Sequence, residues 1–97
     1  MLRRNLTLSY EIILKKHAIK DIEILQPSYH KRIVETIFKI LPAINNLNQI
    51  SDCQKIKGYD KFYRIRVGDY RIGFELRGNQ IVIYRIMHRK DIYKHFP

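Results

Sequence analysis

The stretch that decides the fold is YRIRVGDYRIGFEL, which runs from Tyr63 to Leu76. Apolar and polar residues alternate on both sides of Gly68-Asp69, which is typical of two half-buried strands joined by a two-residue turn. Glycine at the first position of that turn favours a type II′ hairpin. Such a hairpin pairs Val67 with Tyr70 and has one apolar face, which we expect to cover helices. The residues on that face are Tyr63, Ile65, Val67, Tyr70, Ile72 and Phe74.

The other face of the hairpin collects arginines. The same register makes Arg66 and Arg71 direct cross-strand neighbours, with Arg64 beside them, and like charges placed opposite each other destabilise a sheet. A solvated polar face, with Asp69 and Glu75 softening the repulsion, would explain a single pair of this kind. Three arginines in a chain with 19 Lys+Arg and 9 Asp+Glu favour an anion site instead. Because guanidinium binds phosphate oxygens bidentately, we expect the anion to be a polymer phosphate.

The charge of the whole chain supports a polyanionic partner. Its 97 residues suffice for one domain, spanning residues 1–97, and carry a formal net charge of +10. Such a charge attracts nucleic acid, an acidic protein segment or a membrane surface. No stretch approaches the roughly 18 apolar residues that span a bilayer, and no apolar run typical of a signal peptide follows the basic start Met1–Asn5. We therefore expect a cytoplasmic protein.

Cysteine and histidine usage indicates no metal or cofactor. The single Cys53 cannot form an internal disulfide. No activating neighbour marks it as a nucleophile, so we interpret it as a small buried residue. The four histidines show no zinc-ligand spacing.

The rest of the chain predicts an α+β domain. A first strand is predicted at Tyr10–Lys15, a helix from Ala18 to Gln26, and a second helix that Ser28 caps and Pro42 disturbs or ends. The remaining predicted elements are strands at Lys55–Lys57, Tyr63–Val67, Tyr70–Leu76 and Ile81–Met87, then a short helix from Asp91. The order is β-α-α-β-β-β-β with a short C-terminal helix, and an antiparallel sheet packs against an N-terminal helical hairpin.

Three segments of the C-terminal half are more informative together than any one of them alone: KIKGYD (55–60), FYRIRVGDYRI (62–72) and RIMHRKDIY (85–93). Together they resemble the RelE/ParE superfamily of type II toxin–antitoxin toxins, whose fold agrees with the order above. The resemblance implies one of two activities. RelE-like members cut messenger RNA in the ribosomal A site, whereas ParE-like members inhibit DNA gyrase without cutting RNA. A basic RNA-binding protein with neither activity is the third alternative.

For a RelE-like nuclease, the resemblance implies a set of catalytic positions on the open sheet face and near the C-terminus. The first two of these positions are lysines in the RelE-like pattern and arginines here, and arginine is a poor base because it stays charged. Histidine titrates near neutral pH, so His88 is the acid/base candidate. The predicted catalytic residues are Arg64, Arg66, Arg71, His88, Arg89 and Tyr93, and the predicted RNA-binding residues are Lys55, Lys57 and Lys90.

The chemistry of RNA cleavage requires no metal, because the 2′-hydroxyl of RNA is itself a nucleophile. Arg66 and Arg71 are expected to bind the non-bridging phosphate oxygens, Arg89 to reach the 5′-oxygen, and Tyr93 to stack on a base. Two of these residues have a structural alternative: His88 would point into the core, and Tyr93 would pack with Phe96.

The expected partners are mRNA on the ribosome and a cognate antitoxin. A chain with a +10 charge and an open arginine face needs a neutralising inhibitor. We expect an antitoxin with an acidic or amphipathic segment that is disordered alone and folds on the toxin. Wrapping with partial displacement of Asp91–Pro97 is the favoured route of inhibition, because that segment is short and terminal.

Overall fold

The computed structural model describes residues 9–97. The start Met1–Asn5, on which the expectation of no signal peptide depends, lies outside the described residues. None of the helices within residues 9–97 has the length and the apolar character that a membrane span requires. The elements are β1 (Glu11–Leu14), α1 (Lys16–Glu23), α2 (Pro27–Glu35), a π-helical turn (Thr36–Ile40), α3 (Leu41–Ala43), a 3₁₀ turn (Leu47–Gln49), β2 (Cys53–Lys55), β3 (Phe62–Val67), β4 (Tyr70–Arg77), β5 (Gln80–His88) and α4 (Ile92–His95).

The strands form one five-stranded sheet in the order β1-β5-β4-β3-β2. Strands β2 to β5 are antiparallel neighbours, and β1 joins β5 in parallel, with Ile13 opposite Val82. The α+β class, the helical hairpin and the short C-terminal helix are confirmed. The sheet is mixed where a wholly antiparallel one was expected. No tight turn links β1 to β5, so nothing local dictates the direction in which they pair.

The β3–β4 hairpin has the predicted register. Val67 lies opposite Tyr70, and Arg66 lies opposite Arg71. Gly68 has a φ of 59°, which suits the first position of a type II′ turn and favours glycine. The turn also lies close to α2, because a Cβ built on Gly68 would be 2.7 Å from the hydroxyl oxygen of Tyr29.

Several element boundaries differ from the prediction, and α1 spans Lys16–Glu23 where Ala18–Gln26 was expected. Helix α2 begins at Pro27 and follows the extended Gln26, so Ser28 is not its N-cap. Proline suits the first helical position because its φ is already helical and its missing N–H needs no partner there. Strand β2 ends at Lys55, which leaves Lys57 in the following turn and not on a strand.

Pro42 disturbs the second helix without ending it at once. The chain passes through the π-helical turn Thr36–Ile40 before it reaches Leu41–Ala43. Proline lacks the N–H that an α-helix needs in its interior, and the wider π turn accommodates that loss.

The main core lies between the sheet and the helices. The apolar face of the hairpin packs here as predicted, with Tyr63 stacked on Phe74 at a ring-centroid distance of 5.3 Å. The buried residues of this core are Ala18, Ile33, Ile37, Leu41, Ile44, Ile65, Val67, Ile72, Phe74, Ile81, Ile83 and Ile86. Each fully buried isoleucine of the set contributes about 1.5–3 kcal/mol to folding.

A β-bulge in β5 is fastened to α1 by a buried ion pair. Gly73 pairs with Arg85 and Phe74 pairs with Ile83, which leaves Tyr84 as the extra residue. Asp21 on α1 is 7% exposed. Its carboxylate accepts hydrogen bonds from Arg85 Nε (2.8 Å), Arg85 Nη2 (3.1 Å) and the Ile86 amide (2.9 Å). These bonds satisfy the buried charge and connect the helix layer to β5, which lies between β1 and β4 in the sheet.

A second, smaller core covers half of the opposite sheet face. The C-terminal segment crosses this face and buries Ile92 and Phe96 with Ile56. The ring of Phe96 lies so close to the sheet that a Cβ built on Gly73 would be 2.5 Å from it. Glycine is therefore required at that position for α4 to sit where it does. The half of the face that this segment leaves open holds the arginines.

Candidate active site

A pocket of about 180 Å³ opens on the uncovered half of the sheet. We name it the arginine pocket. Strand β3 contributes Arg64 and Arg66, β4 contributes Arg71, and α4 contributes Tyr93. The full lining is Ser51, Asp52, Gln54, Arg64, Arg66, Arg71 and Tyr93. The structure therefore brings together four of the six predicted catalytic residues.

Hydrogen bonds orient two of the guanidinium groups. Arg66 Nη2 donates to Asp52 Oδ1 at 3.0 Å, and the side chain of Arg66 is 61% exposed. Arg71 Nη1 donates to the carbonyl oxygens of Gly68 and Tyr70, each at 3.0 Å. Each interaction uses one nitrogen of a group that has five N–H donors, so donors remain on both side chains to bind an anion.

Arg64 is held by Tyr93. The guanidinium carbon of Arg64 lies 4.4 Å from the centroid of the Tyr93 ring, within the range of a cation–π interaction. Its Nε is buried and has no hydrogen-bond partner among the described residues. Tyr93 itself is 66% exposed, whereas Ile92 and Phe96 of the same C-terminal segment are buried. The alternative that Tyr93 closes the core is therefore wrong, since Ile92 packs with Phe96 instead.

The pocket keeps a net positive charge. Its three guanidinium groups face one carboxylate, that of Asp52. The two acidic residues expected to soften the repulsion pair elsewhere: Asp69 Oδ1 lies 3.7 Å from Arg89 Nε, and Glu75 Oε1 lies 2.9 Å from Arg77 Nε. A ligand that carries negative charge would relieve the remaining repulsion.

The structure does not bring His88 into the arginine pocket. His88 lies opposite Tyr70, and the two rings meet edge to face at a centroid distance of 5.7 Å on the side of the sheet that faces the helices. Its Nδ1 accepts a hydrogen bond from the Lys90 amide at 3.2 Å. Met87 takes the opposite side and packs into the second core. This position agrees with the structural alternative for His88.

The other predicted residues do not line the pocket. The Arg89 amide donates to the Asp69 carbonyl at 2.7 Å, which places Arg89 beside the hairpin turn. Lys55 lies opposite Tyr63 and so projects toward the helix side. Lys57 and Lys90 are exposed in turns.

Three lining residues were not predicted: Ser51, Asp52 and Gln54. The sequence predicted β2 at Lys55–Lys57, two residues beyond the observed Cys53–Lys55. Residues 51–54 were therefore not expected to lie beside Arg64. In the structure Gln54 lies opposite Arg64. An edge strand of three residues carries too few alternations for the sequence to locate it.

Cys53 is a poor nucleophile at neutral pH. Burial raises the pKa of its thiol to about 11, so the reactive thiolate is scarce at neutral pH. Its side chain packs against the main core. Among residues 9–97, no three His, Cys, Asp or Glu side chains lie close enough together to hold a metal ion.

Comparisons with known proteins identify the family. The family model described as "ParE toxin of type II toxin-antitoxin system, parDE" matches residues 12–93. Toxin RelE3 of Methanocaldococcus jannaschii is 40% identical over 88 residues, which are 90% of this chain and 99% of that protein. The chain belongs to the RelE/ParE family of type II toxins. The family resemblance of its C-terminal motifs is confirmed.

Solved structures of RelE proteins have the same fold as this RelE/ParE toxin. The RelE chain of an antitoxin–toxin complex, RelB-RelE from Methanococcus jannaschii, superposes with a TM-score of 0.72 at 42% identity. The match covers 88% of this toxin and 99% of that chain. The isolated RelE toxin of E. coli superposes with a TM-score of 0.65 at 14% identity, over 89% of this toxin and 93% of that chain, which shows the fold alone.

Proposed function

We propose that this toxin is a ribosome-dependent endoribonuclease that cleaves mRNA without a metal. The observation that supports this most is the composition of the arginine pocket: three guanidinium groups, one carboxylate and one exposed aromatic ring around a common space. Phosphodiester cleavage needs such parts, namely cations for the phosphate, a proton acceptor and a surface that positions a base.

The RNA supplies the nucleophile. The carboxylate of Asp52 accepts the proton of a 2′-hydroxyl, and the 2′-oxygen attacks the adjacent phosphorus. The P–O5′ bond then breaks, the 5′-oxygen takes a proton from water, and the resulting hydroxide takes up the proton held by Asp52, which restores the carboxylate. The products are a 2′,3′-cyclic phosphate and a 5′-hydroxyl. Arg66, whose Nη2 lies 3.0 Å from Asp52 Oδ1, orients the carboxylate.

The arginines stabilise the charge that develops on phosphorus. Arg66 and Arg71, opposite each other in the sheet, bind the two non-bridging oxygens. Arg64 and Tyr93 form a stacked pair on which a base can rest. Four predicted residues lie outside the pocket, where their positive charge attracts the RNA backbone: Arg89, Lys55, Lys57 and Lys90. His88 lies on the other side of the sheet and takes no part.

A cognate antitoxin would keep this toxin inactive. Among the solved relatives are complexes in which a RelE chain is bound to RelB. The net charge of +10 favours an acidic segment as the inhibitor. Displacement of Asp91–Pro97 would remove Tyr93 from Arg64 and open the second core, so we propose this route of inhibition.

Inhibition of DNA gyrase is the second candidate. It is favoured by the family model that matches residues 12–93, because that model is named for ParE toxins. A translation reaction with primer extension on the messenger, run beside a gyrase supercoiling reaction, separates the two activities. Cuts at A-site codons support the nuclease. An intact messenger with blocked supercoiling refutes it.

A further inference from the structure

A second cationic groove lies on the far side of α4 from the arginine pocket. We infer that it binds a phosphate group of the same RNA, an inference that rests on RNA being the ligand of the arginine pocket. The groove has a volume of about 480 Å³. We name it the lysine groove. The end of β1 with the start of α1, strand β5 and α4 contribute its lining, which is Lys15, Lys16, His17, Tyr84, Arg85 and His95.

The two lysines are the charges of the groove that are available to a ligand. Arg85 is committed to the buried Asp21 through bonds of 2.8 and 3.1 Å. Lys15 and Lys16 are exposed, and neither has a carboxylate within 4.0 Å in the described part of the chain. Nothing in the described residues therefore neutralises them.

An aromatic ring positions one of these lysines. The ammonium nitrogen of Lys15 lies 5.4 Å from the centroid of the Tyr84 ring. Tyr84 is itself fixed, because its hydroxyl donates to Glu75 Oε1 at 2.8 Å. The arrangement of Lys15 over Tyr84 parallels that of Arg64 over Tyr93 in the arginine pocket.

Helix α4 connects the lysine groove to the arginine pocket. Tyr93 lines the pocket and His95 lines the groove, while Ile92 and Phe96 anchor the segment in the second core. A single strand of RNA that crosses α4 can therefore place one phosphate in each site. Repeated phosphates along one chain suit two cationic sites separated by a short helix.

The lining of the groove favours RNA over an acidic protein segment. An amphipathic peptide would need branched aliphatic side chains against which to bury its apolar face. The apolar surface of the groove comes from the ring of Tyr84 and the methylene stems of basic residues, whose ends are cationic, and the lining holds no branched aliphatic side chain. Lysine ammonium groups bind phosphate as point charges without a fixed geometry.

The test measures binding of RNA without cleavage. The probe is a single-stranded 2′-O-methyl RNA oligonucleotide, which lacks the nucleophile, and its Kd is measured by fluorescence anisotropy over a range of salt concentrations. The test variant is Lys15→Gln/Lys16→Gln. The control is Lys31→Gln/Lys39→Gln, which removes the same charge from exposed lysines of the helical hairpin. Circular dichroism of both variants verifies that the fold is kept.

The inference predicts a change in the salt dependence. Loss of one phosphate contact lowers the slope of log Kd against log salt by about 0.7 in the test variant, while the control keeps the wild-type slope. Equal slopes in the two variants would overturn the inference, since general charge then explains the effect. It also fails if the test variant loses affinity for a polyglutamate peptide and not for the RNA. Absence of mRNA cleavage would refute the nuclease proposal alone. The inference about the lysine groove is still decided by the salt slopes, because the oligonucleotide in that assay is not cleaved.

Discussion

Replacement of Arg71 by alanine tests the role of the arginine pocket most directly. The guanidinium of Arg71 is held by the Gly68 and Tyr70 carbonyl oxygens at 3.0 Å, so its orientation is set in the absence of a ligand. Removal of one preorganised donor to a transition-state oxygen typically lowers the rate by about 10²–10³, or about 2.7–4 kcal/mol. We expect Arg71→Ala to lower the rate of mRNA cleavage by that factor.

The same substitution should leave the fold almost as stable as before. It removes two hydrogen bonds to turn carbonyls, each contributing about 0.5–1.5 kcal/mol or somewhat more from a charged donor. It also relieves the repulsion between Arg66 and Arg71, which lie opposite each other. Like charges in that position cost about 0.2–1 kcal/mol. The two effects oppose each other, and the loss of the hydrogen bonds is the larger of the two. We therefore expect the free energy of unfolding to fall by about 1 kcal/mol.

The assay compares initial cleavage rates on programmed ribosomes with thermal unfolding of the same preparations. Arg77→Ala is the matched control, because Arg77 forms an exposed ion pair with Glu75 at 2.9 Å but does not line the pocket. The control should cleave at the wild-type rate. A folded Arg71→Ala variant with the wild-type rate would refute the anion-site reasoning. Loss of activity that only accompanies unfolding would refute it equally.

Three further predictions concern the proton acceptor, the core and the response to acid. Asp52→Asn should lower the cleavage rate by about 10²–10⁴, whereas a variant that is folded and cleaves at the wild-type rate would exclude Asp52 as the base. Ile72→Ala should lower the free energy of unfolding by about 2–5 kcal/mol in a urea titration because Ile72 is fully buried; a loss below about 1 kcal/mol would contradict this packing. The hydrogen bond from the Tyr84 hydroxyl, with a smaller effect of Arg77, lowers the pKa of Glu75. This bond therefore stabilises the fold at neutral pH, and the stability is lost as pH falls below about 4. The difference in unfolding free energy between the wild type and Glu75→Gln should shrink over that range, and a constant difference would refute the assignment.

The hairpin could be derived from the sequence because its determinants are local. The two residues between Val67 and Tyr70 set the turn, and the alternation on each side sets which residues share a face. From these alone, Arg66 and Arg71 are placed opposite each other, and the structure agrees. The same reasoning placed Arg64 beside them. Three of the seven residues that line the pocket were thus predictable without any knowledge of the rest of the fold.

The position of His88 could not be derived, because a bulge interrupts the alternation of β5. Tyr84 is the extra residue, and its location coincides with the contact between Arg85 and Asp21 on α1. The partner residues are 64 positions apart in the chain. The sequence of β5 alone does not indicate that contact or the bulge beside it. The side of the sheet that His88 faces therefore depends on tertiary structure.

The sequence by itself determined the family, the α+β class and the paired arginines, since motifs, periodicity and a short turn are properties of neighbouring residues. Tertiary structure alone decided which half of the open face stays uncovered. Phe96 packs on the bare backbone of Gly73, and this contact sets α4 so that Ile92 is buried and Tyr93 projects over Arg64. Contacts between residues so distant in the chain depend on how separate elements fill the same space, and no spacing in the sequence encodes that.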